Sequence, residues 1–219
     1  MIPKRFIRIW LGDNPIPELF EQWWDEFKVI HPDWEFVTIT SFDGFEISDE
    51  IKEILPTIES YAGLSDILRL IVLYEMGGVY VDTDIKPIKS FDSLVEQYDI
   101  PFLGKRSKVS FESAVIGSPK GSPIMKYLLE RLPIWVNKHK EHSASVQTGP
   151  TFISEHIFGR GDVKHLPEKT FYPFNGFRAP SRDEKMKMFE KNEWPEEMVC
   201  AHLSNHRWGG NPNKKKSTK

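Results

Sequence analysis

Apolar residues recur along this chain at two spacings that alternate, every second position in short runs and every third or fourth in longer ones. Phe6 to Leu11 is a β-rich run ended by Gly12, and Asp13-Asn14-Pro15 supplies turn chemistry. Pro17 suits the first turn of a helix, after which Leu19, Phe20, Trp23, Phe27 and Ile30 share one face until Pro32-Asp33. Trp34 to Thr40 alternates again and predicts a second strand, completing a βαβ unit. Beyond an acidic linker, Ile51, Ile54, Leu55 and Ile58 mark a helix bent at Pro56. Ser65 is placed to cap the next helix, whose Leu64, Ile67, Leu68 and Ile71 lie on one face and which Gly77-Gly78 stops. The strand VYVD follows at once. Ser113 to Gly117 predicts another strand, and Ser122-Pro123 opens a helix through Leu128 and Trp135. The remainder is rich in aromatics and prolines and reads as loops and short strands. Alternating strands and helices predict an α/β fold with a mostly parallel sheet.

Composition narrows the function. The chain has 219 residues, enough for one domain with a full core, and a net charge of −3, without the basic footprint of a nucleic-acid binder. Lys214 to Lys216 lie in a short basic stretch, residues 211–219, which reads as a disordered tail beyond a domain spanning 1–210; contact with an anionic membrane surface is its alternative reading. The single cysteine, Cys200, excludes an internal disulfide and a cysteine-built zinc site. No run approaches the length of a membrane span, and the first residues lack a signal-peptide core. The expectation is a cytoplasmic chain, or a piece of a longer one.

The stretch GGVYVDTD carries the chemistry. Side chains alternate along an extended strand, so Tyr80, Asp82 and Asp84 share one face at its carboxyl end, where ligands bind in open α/β sheets. Two carboxylates held together require a cation. Oxygen ligands at short spacing suit Mg²⁺ or Mn²⁺, and such an ion suits a diphosphate. A bare Asp-x-Asp is also a common surface turn. Asp66 and Arg69, three apart on the preceding helix, can act as a pair there or form an ordinary exposed ion pair.

With these residues in view, SDILRLIVLYEMGGVYVDTD resembles the Ser-Asp-x-x-Arg helix and Gly-Gly-x-Tyr-x-Asp-x-Asp segment of the DXD-containing glycosyltransferases. The resemblance is to the group of α-1,6-mannosyltransferases and capsular sugar transferases, and more distantly to clostridial glucosylating toxins. IPKRFIRIWLG, HPDWEF, SAVIGSPKGSPIM, TGP at 148–150, FYP at 171–173 and AHLSNHRW at 201–208 are similar to further blocks in the same order. The resemblance implies a single GT-A-type domain with a Rossmann-like sheet flanked by helices. It implies that Trp10 stacks on the donor's base, with Leu11 beside it, although a core position remains open for Trp10. Asp66 and Arg69 would hold the donor sugar and its phosphate, Asp82 the ribose or sugar, and Asp84 the metal directly. Tyr80 would line the same pocket or the core. His202 and Trp208 match a His-x₅-Trp pattern that completes the metal shell and covers the diphosphate; His206 and Asn205 are alternatives for the shell. Ile7 stands where many members have histidine, and Ser113 where asparagine is common.

The implied reaction moves a hexose from a nucleotide sugar, UDP-hexose first and GDP-mannose next, to a glycan or other hydroxyl acceptor with retention of configuration. An aspartyl-phosphate phosphohydrolase also carries Asp-x-Asp after a strand, but Lys86 stands where that motif has threonine or valine. A non-catalytic nucleotide-sugar or glycan-binding module of the same fold is the other alternative.

Overall fold

The computed structural model describes residues 1–172 and 181–203. Asn205, His206, Trp208 and the expected domain end at 210 lie outside them. Strand β1 (Arg5–Ile9), helix α1 (Glu18–Ile30) and strand β2 (Glu35–Ile39) form the expected βαβ unit, the strands paired in parallel from Arg5↔Glu35 to Ile9↔Ile39. Glu18 and Glu21 in the first turn of α1 complement its dipole, and Phe20, Trp23, Trp24 and Phe27 are buried.

Helix α2 (Asp49–Ile54) gives way to a 3₁₀ turn at Leu55–Thr57 rather than bending through Pro56, whose missing N–H and ring cannot continue the helical ladder. Helix α3 (Tyr61–Met76) begins earlier than expected. Its cap is Ser60, whose hydroxyl accepts from the Gly63 amide at 3.1 Å, and Ser65 lies inside the helix. Both serines are suitable caps, and Leu64 packing against the core carries the helix back to the first. Gly77, at φ 65°, ends it.

Strand β3 (Gly78–Val81) is buried throughout, and β4 (Ile85–Pro87) follows after a turn. Then come α4 (Asp92–Gln97), β5 (Phe102–Lys105), β6 (Phe111–Ser118), α5 (Pro123–Lys138), α6 (Ala144–Gln147), α7 (Pro150–Ile157), β7 (Lys164–Leu166), α8 (Arg182–Lys191) and β8 (Cys200–His202). The region expected to be loops and short strands thus contains helices. Pro150 starts α7 where a proline is tolerated, and α8 is so polar that no apolar period marks it.

The main sheet is six-stranded, ordered β2-β1-β3-β6-β5-β7. Its β1–β2, β1–β3 and β5–β7 pairings are parallel, while β6 runs antiparallel to β3 and β5. On one face Ile7, Ile9 and Tyr80 pack against α3, α5 and α7; on the other Phe6, Val79 and Val81 meet Trp24, Phe27 and Phe91. A further cluster of Phe20, Trp23, Phe189, Met198, Ala201 and Leu203 fastens α8 and β8 to the outer side of α1. That cluster seats β8, which pairs with β4 as a separate two-stranded sheet. Among the described residues no helix is long and apolar enough to cross a membrane.

Candidate active site

Asp82 and Asp84 come together by a turn, not by strand alternation. β3 ends at Val81; the Asp82 amide still donates to the Ala114 carbonyl at 2.8 Å, and the Ile85 amide donates back to the Asp82 carbonyl at 3.2 Å. From the other end of the chain, β8 places His202 opposite Ile85. The His202 amide donates to the Phe171 carbonyl at 3.2 Å, and the Leu203 amide to the Asp84 carbonyl at 3.0 Å. The result sets His202 Nε2 3.1 Å from Asp84 Oδ1 and 3.9 Å from Asp82 Oδ2. One ligand atom from each of the three residues lies within 4.8 Å of the others.

This donor set fits a hard to borderline divalent ion, with carboxylate oxygens suited to Mg²⁺ or Mn²⁺ and an imidazole that Mn²⁺ accepts. Without one, His202 serves as the positive charge. Burial alone would lower its pKa, but the Asp84 charge and hydrogen bond, then Asp82 and Glu112, outweigh burial and push it up to about 9.

Asp82 is held from the other side. Arg69 Nη2 lies 3.1 Å from Asp82 Oδ1 and 3.0 Å from Asp66 Oδ1, and Nη1 donates to the Ser113 carbonyl at 2.5 Å. The guanidinium covers the Tyr80 ring at 4.4 Å, and the Tyr80 hydroxyl donates to Asp82 Oδ1 at 2.7 Å. Burial keeps that phenol protonated by raising its pKa well above the usual value, so it remains a donor. Arg69 is 5% exposed, so this pair is no surface bridge. Asp66 is raised to about 6, burial outweighing the attraction of Arg69. Thr148 Oγ1 donates to Asp66 Oδ2 at 3.2 Å, and a Cβ at the adjacent Gly149 would come within 3.0 Å of that oxygen, so glycine permits the approach.

Trp10 follows the C-terminal end of β1. Since Ile7 pairs with Tyr80 in parallel, Trp10 lies at the edge that bears Asp82 and Asp84. It is half-buried rather than core, with its indole N–H donating to the Asn14 carbonyl at 2.6 Å. Leu11 packs at the rim of the core. Ile7 is wholly inside it, and Ser113 contributes its carbonyl to Arg69.

Three residues near the site escaped the sequence reading. Glu112 on β6 pairs with Arg106 at 3.2 Å, is raised by burial, and lies within reach of the charges of His202, Asp82 and Arg69. A lone acid in the largely apolar run FESAVIG was its only signal. Thr148 stands in the TGP stretch, where nothing local marks its hydroxyl as a partner of Asp66. Lys185 stands on α8, a helix the pattern did not reveal.

With this geometry in place, comparisons with known proteins converge. Residues 17–101 match the family described as "Glycosyltransferase sugar-binding region containing DXD motif". Asp82 and Asp84 lie within the matched residues. Inositol phosphoceramide mannosyltransferase 3 of Schizosaccharomyces pombe is 28% identical over 159 residues, covering 70% of this chain and 44% of that protein. Mannosyl phosphorylinositol ceramide synthase SUR1 of Saccharomyces cerevisiae is 28% identical over 163 residues, covering 70% of this chain and 41% of that protein. The chain therefore spans less than half the length of these curated relatives. Among solved structures, the PaToxG glycosyltransferase superposes with a TM-score of 0.56 at 20% identity, over 71% of this chain and 68% of that one. The UDP-bound glycosyltransferase domain of the YGT toxin gives 0.55 at 11% identity, over 75% and 79%. The fold is that of the GT-A glycosyltransferases, and residues 17–101 are similar to their DXD-containing sugar-binding region.

Proposed function

We propose that this glycosyltransferase domain moves a hexose from a nucleotide-sugar donor to a hydroxyl acceptor, with retention of configuration, using Mn²⁺ or Mg²⁺ held by Asp84, Asp82 and His202. The observation that carries the reading is the meeting of Asp84 with His202, 118 residues apart, beside Asp82 at the end of β3. When bound, the cation would supply positive charge beside the diphosphate as the glycosidic bond breaks.

The chain's own residues set that stage. His202 would hold the ion as a neutral imidazole, its proton released to solvent. Tyr80 and Arg69 fix Asp82 Oδ1, which orients its other oxygen toward His202. Arg69 in turn is braced by Asp66, and Asp66 by Thr148. Trp10 receives the base by stacking, at the edge shared with the aspartates. No protein base is assigned, because the departing phosphate can take the acceptor's proton.

UDP-hexose is the first donor reading. GDP-mannose with a phosphoinositol-bearing lipid acceptor is the second, supported by the similarity to the inositol phosphoceramide mannosyltransferases. A thermal-shift series with UDP-glucose, UDP-galactose and GDP-mannose, each with and without MnCl₂, separates them. At about a hundred times its Kd the true donor should stabilise the fold by ~2.7 kcal/mol, a midpoint rise of roughly 5–10 °C that needs the metal. Sugar transfer that survives thorough chelation by EDTA would sink the metal-dependent mechanism.

A further inference from the structure

Helix α8 has ten residues, and its described buried side chains are Lys185 and Phe189, one turn apart on one face. Phe189 has an apolar reason to be inside, since its ring stacks on Trp23 at 5.1 Å. Lys185 has none, yet it is only 8% exposed. A lysine that merely fastened the helix could be replaced by an apolar residue without loss, because burying an ammonium is costly.

Its position explains the choice. Lys185 Nζ donates to the Leu203 carbonyl at 3.2 Å, and the Leu203 amide donates to the Asp84 carbonyl at 3.0 Å. The ammonium thus stands one residue from His202 and within reach of the charge on Asp84. Arg69 lies on the other flank of the cluster, closed in by Asp66, Asp82, the Ser113 carbonyl and the Tyr80 ring. A diphosphate arriving at Asp84 carries several negative charges, and a cation fixed on the segment that pairs with Asp84 is the chemistry that receives them.

We propose that Lys185 is a donor-binding residue whose ammonium meets the diphosphate of the nucleotide sugar beside Asp84. The assignment rests on the glycosyltransferase reading above, and it concerns the phosphates rather than the base or the sugar.

Calorimetric titration of UDP, GDP, uridine and guanosine in the presence of MnCl₂ tests it on the wild type, Lys185→Met and Lys185→Arg. The methionine keeps the aliphatic stem and removes the charge. The expected result is an affinity for the preferred nucleoside diphosphate lower by about 10- to 100-fold in Lys185→Met, most of it restored in Lys185→Arg, with the matching nucleoside changed less than about twofold. Equal diphosphate affinity in wild type and Lys185→Met, or equal losses for nucleoside and diphosphate, overturns the proposal and returns Lys185 to a structural role. A wild type that binds neither diphosphate overturns the glycosyltransferase reading itself. Where Lys185→Met does not fold, the wild type carries the test: Mn²⁺ with the preferred diphosphate should slow reductive methylation of Lys185, read by mass spectrometry, and an unchanged rate counts against the contact.

Discussion

At the scale of single residues, sign matters more than proximity. Asp84 beside Asp82 suggests repulsion, which would make Asp84→Asn stabilising in the absence of metal. The His202 imidazole, 3.1 Å from Asp84 and held cationic up to about 9, reverses this. At neutral pH the variant loses one partner of a buried ion pair, while the histidine can limit the loss by shedding its proton. A cost of about 2 kcal/mol lowers the midpoint by roughly 4–8 °C, and the Mn²⁺-dependent rise disappears. A midpoint at or above that of the wild type shows that repulsion dominates after all. Asp66 offers a second test. Its folded pKa of about 6 lies above the ordinary 3.8, so the folded chain holds this proton more tightly than the unfolded one. The corresponding stability is full below the ordinary value and is lost as pH rises through the folded one. Urea denaturation of wild type and Asp66→Asn should therefore diverge by about 2–3 kcal/mol between about pH 4 and 6, then run parallel at higher pH. Parallel curves throughout that window would mean that Asp66 is not held as the structure has it.

At the scale of elements, the join between α3 and β3 aligns the helix bearing Asp66 and Arg69 with the strand leading to Asp82. Gly78 makes the join possible: its φ is 117°, and a Cβ would fall 2.7 Å from the Arg5 carbonyl oxygen of the neighbouring strand. Gly78→Ala should cost about 2–3 kcal/mol through strain and clash together, measured by urea denaturation. Gly121→Ala is the control, since φ there is 68° with nothing within 4 Å, and only the ~1 kcal/mol of backbone strain applies. Equal costs at both positions would show that the close approach to Arg5 is relaxed. What could be read from sequence follows the same physics. β1, β3, β6 and the apolar face of α3 are nearly or wholly buried, so their patterns are dense and their existence was legible. The start of α3 was not, because Ser60 and Ser65 are equivalent as local signals and packing of Leu64 decides between them. α8 was invisible because burial touches only one narrow stripe of it. The Asp-x-Asp pair stood out locally. His202 entered through resemblance alone, beside His206 and Asn205, because the pairing of Ile85 with His202 leaves no mark in either local sequence. Lys185 and Glu112 were missed because a charge in a polar helix or at a strand end reads by default as solvated.

At the scale of the whole molecule, a metal and donor bound at Asp82, Asp84 and His202 would tie together segments distant in sequence. Hydrogen exchange should show it. Adding the preferred nucleoside diphosphate with MnCl₂ is expected to slow exchange in Ile85–Pro87 and Cys200–His202 together, since among the described residues these two strands form one sheet with each other. Slowing confined to the end of β3 would mean that β8 takes no part in binding. The same two-stranded sheet also orders events in time. β3 and β4 leave the ribosome with their aspartates long before β8 is made, and until then Asp82 and Asp84 lack His202 beside them. During synthesis, then, the proposed site has both carboxylates before it has its imidazole, and the proposed chemistry waits until the residues of β8 emerge and dock.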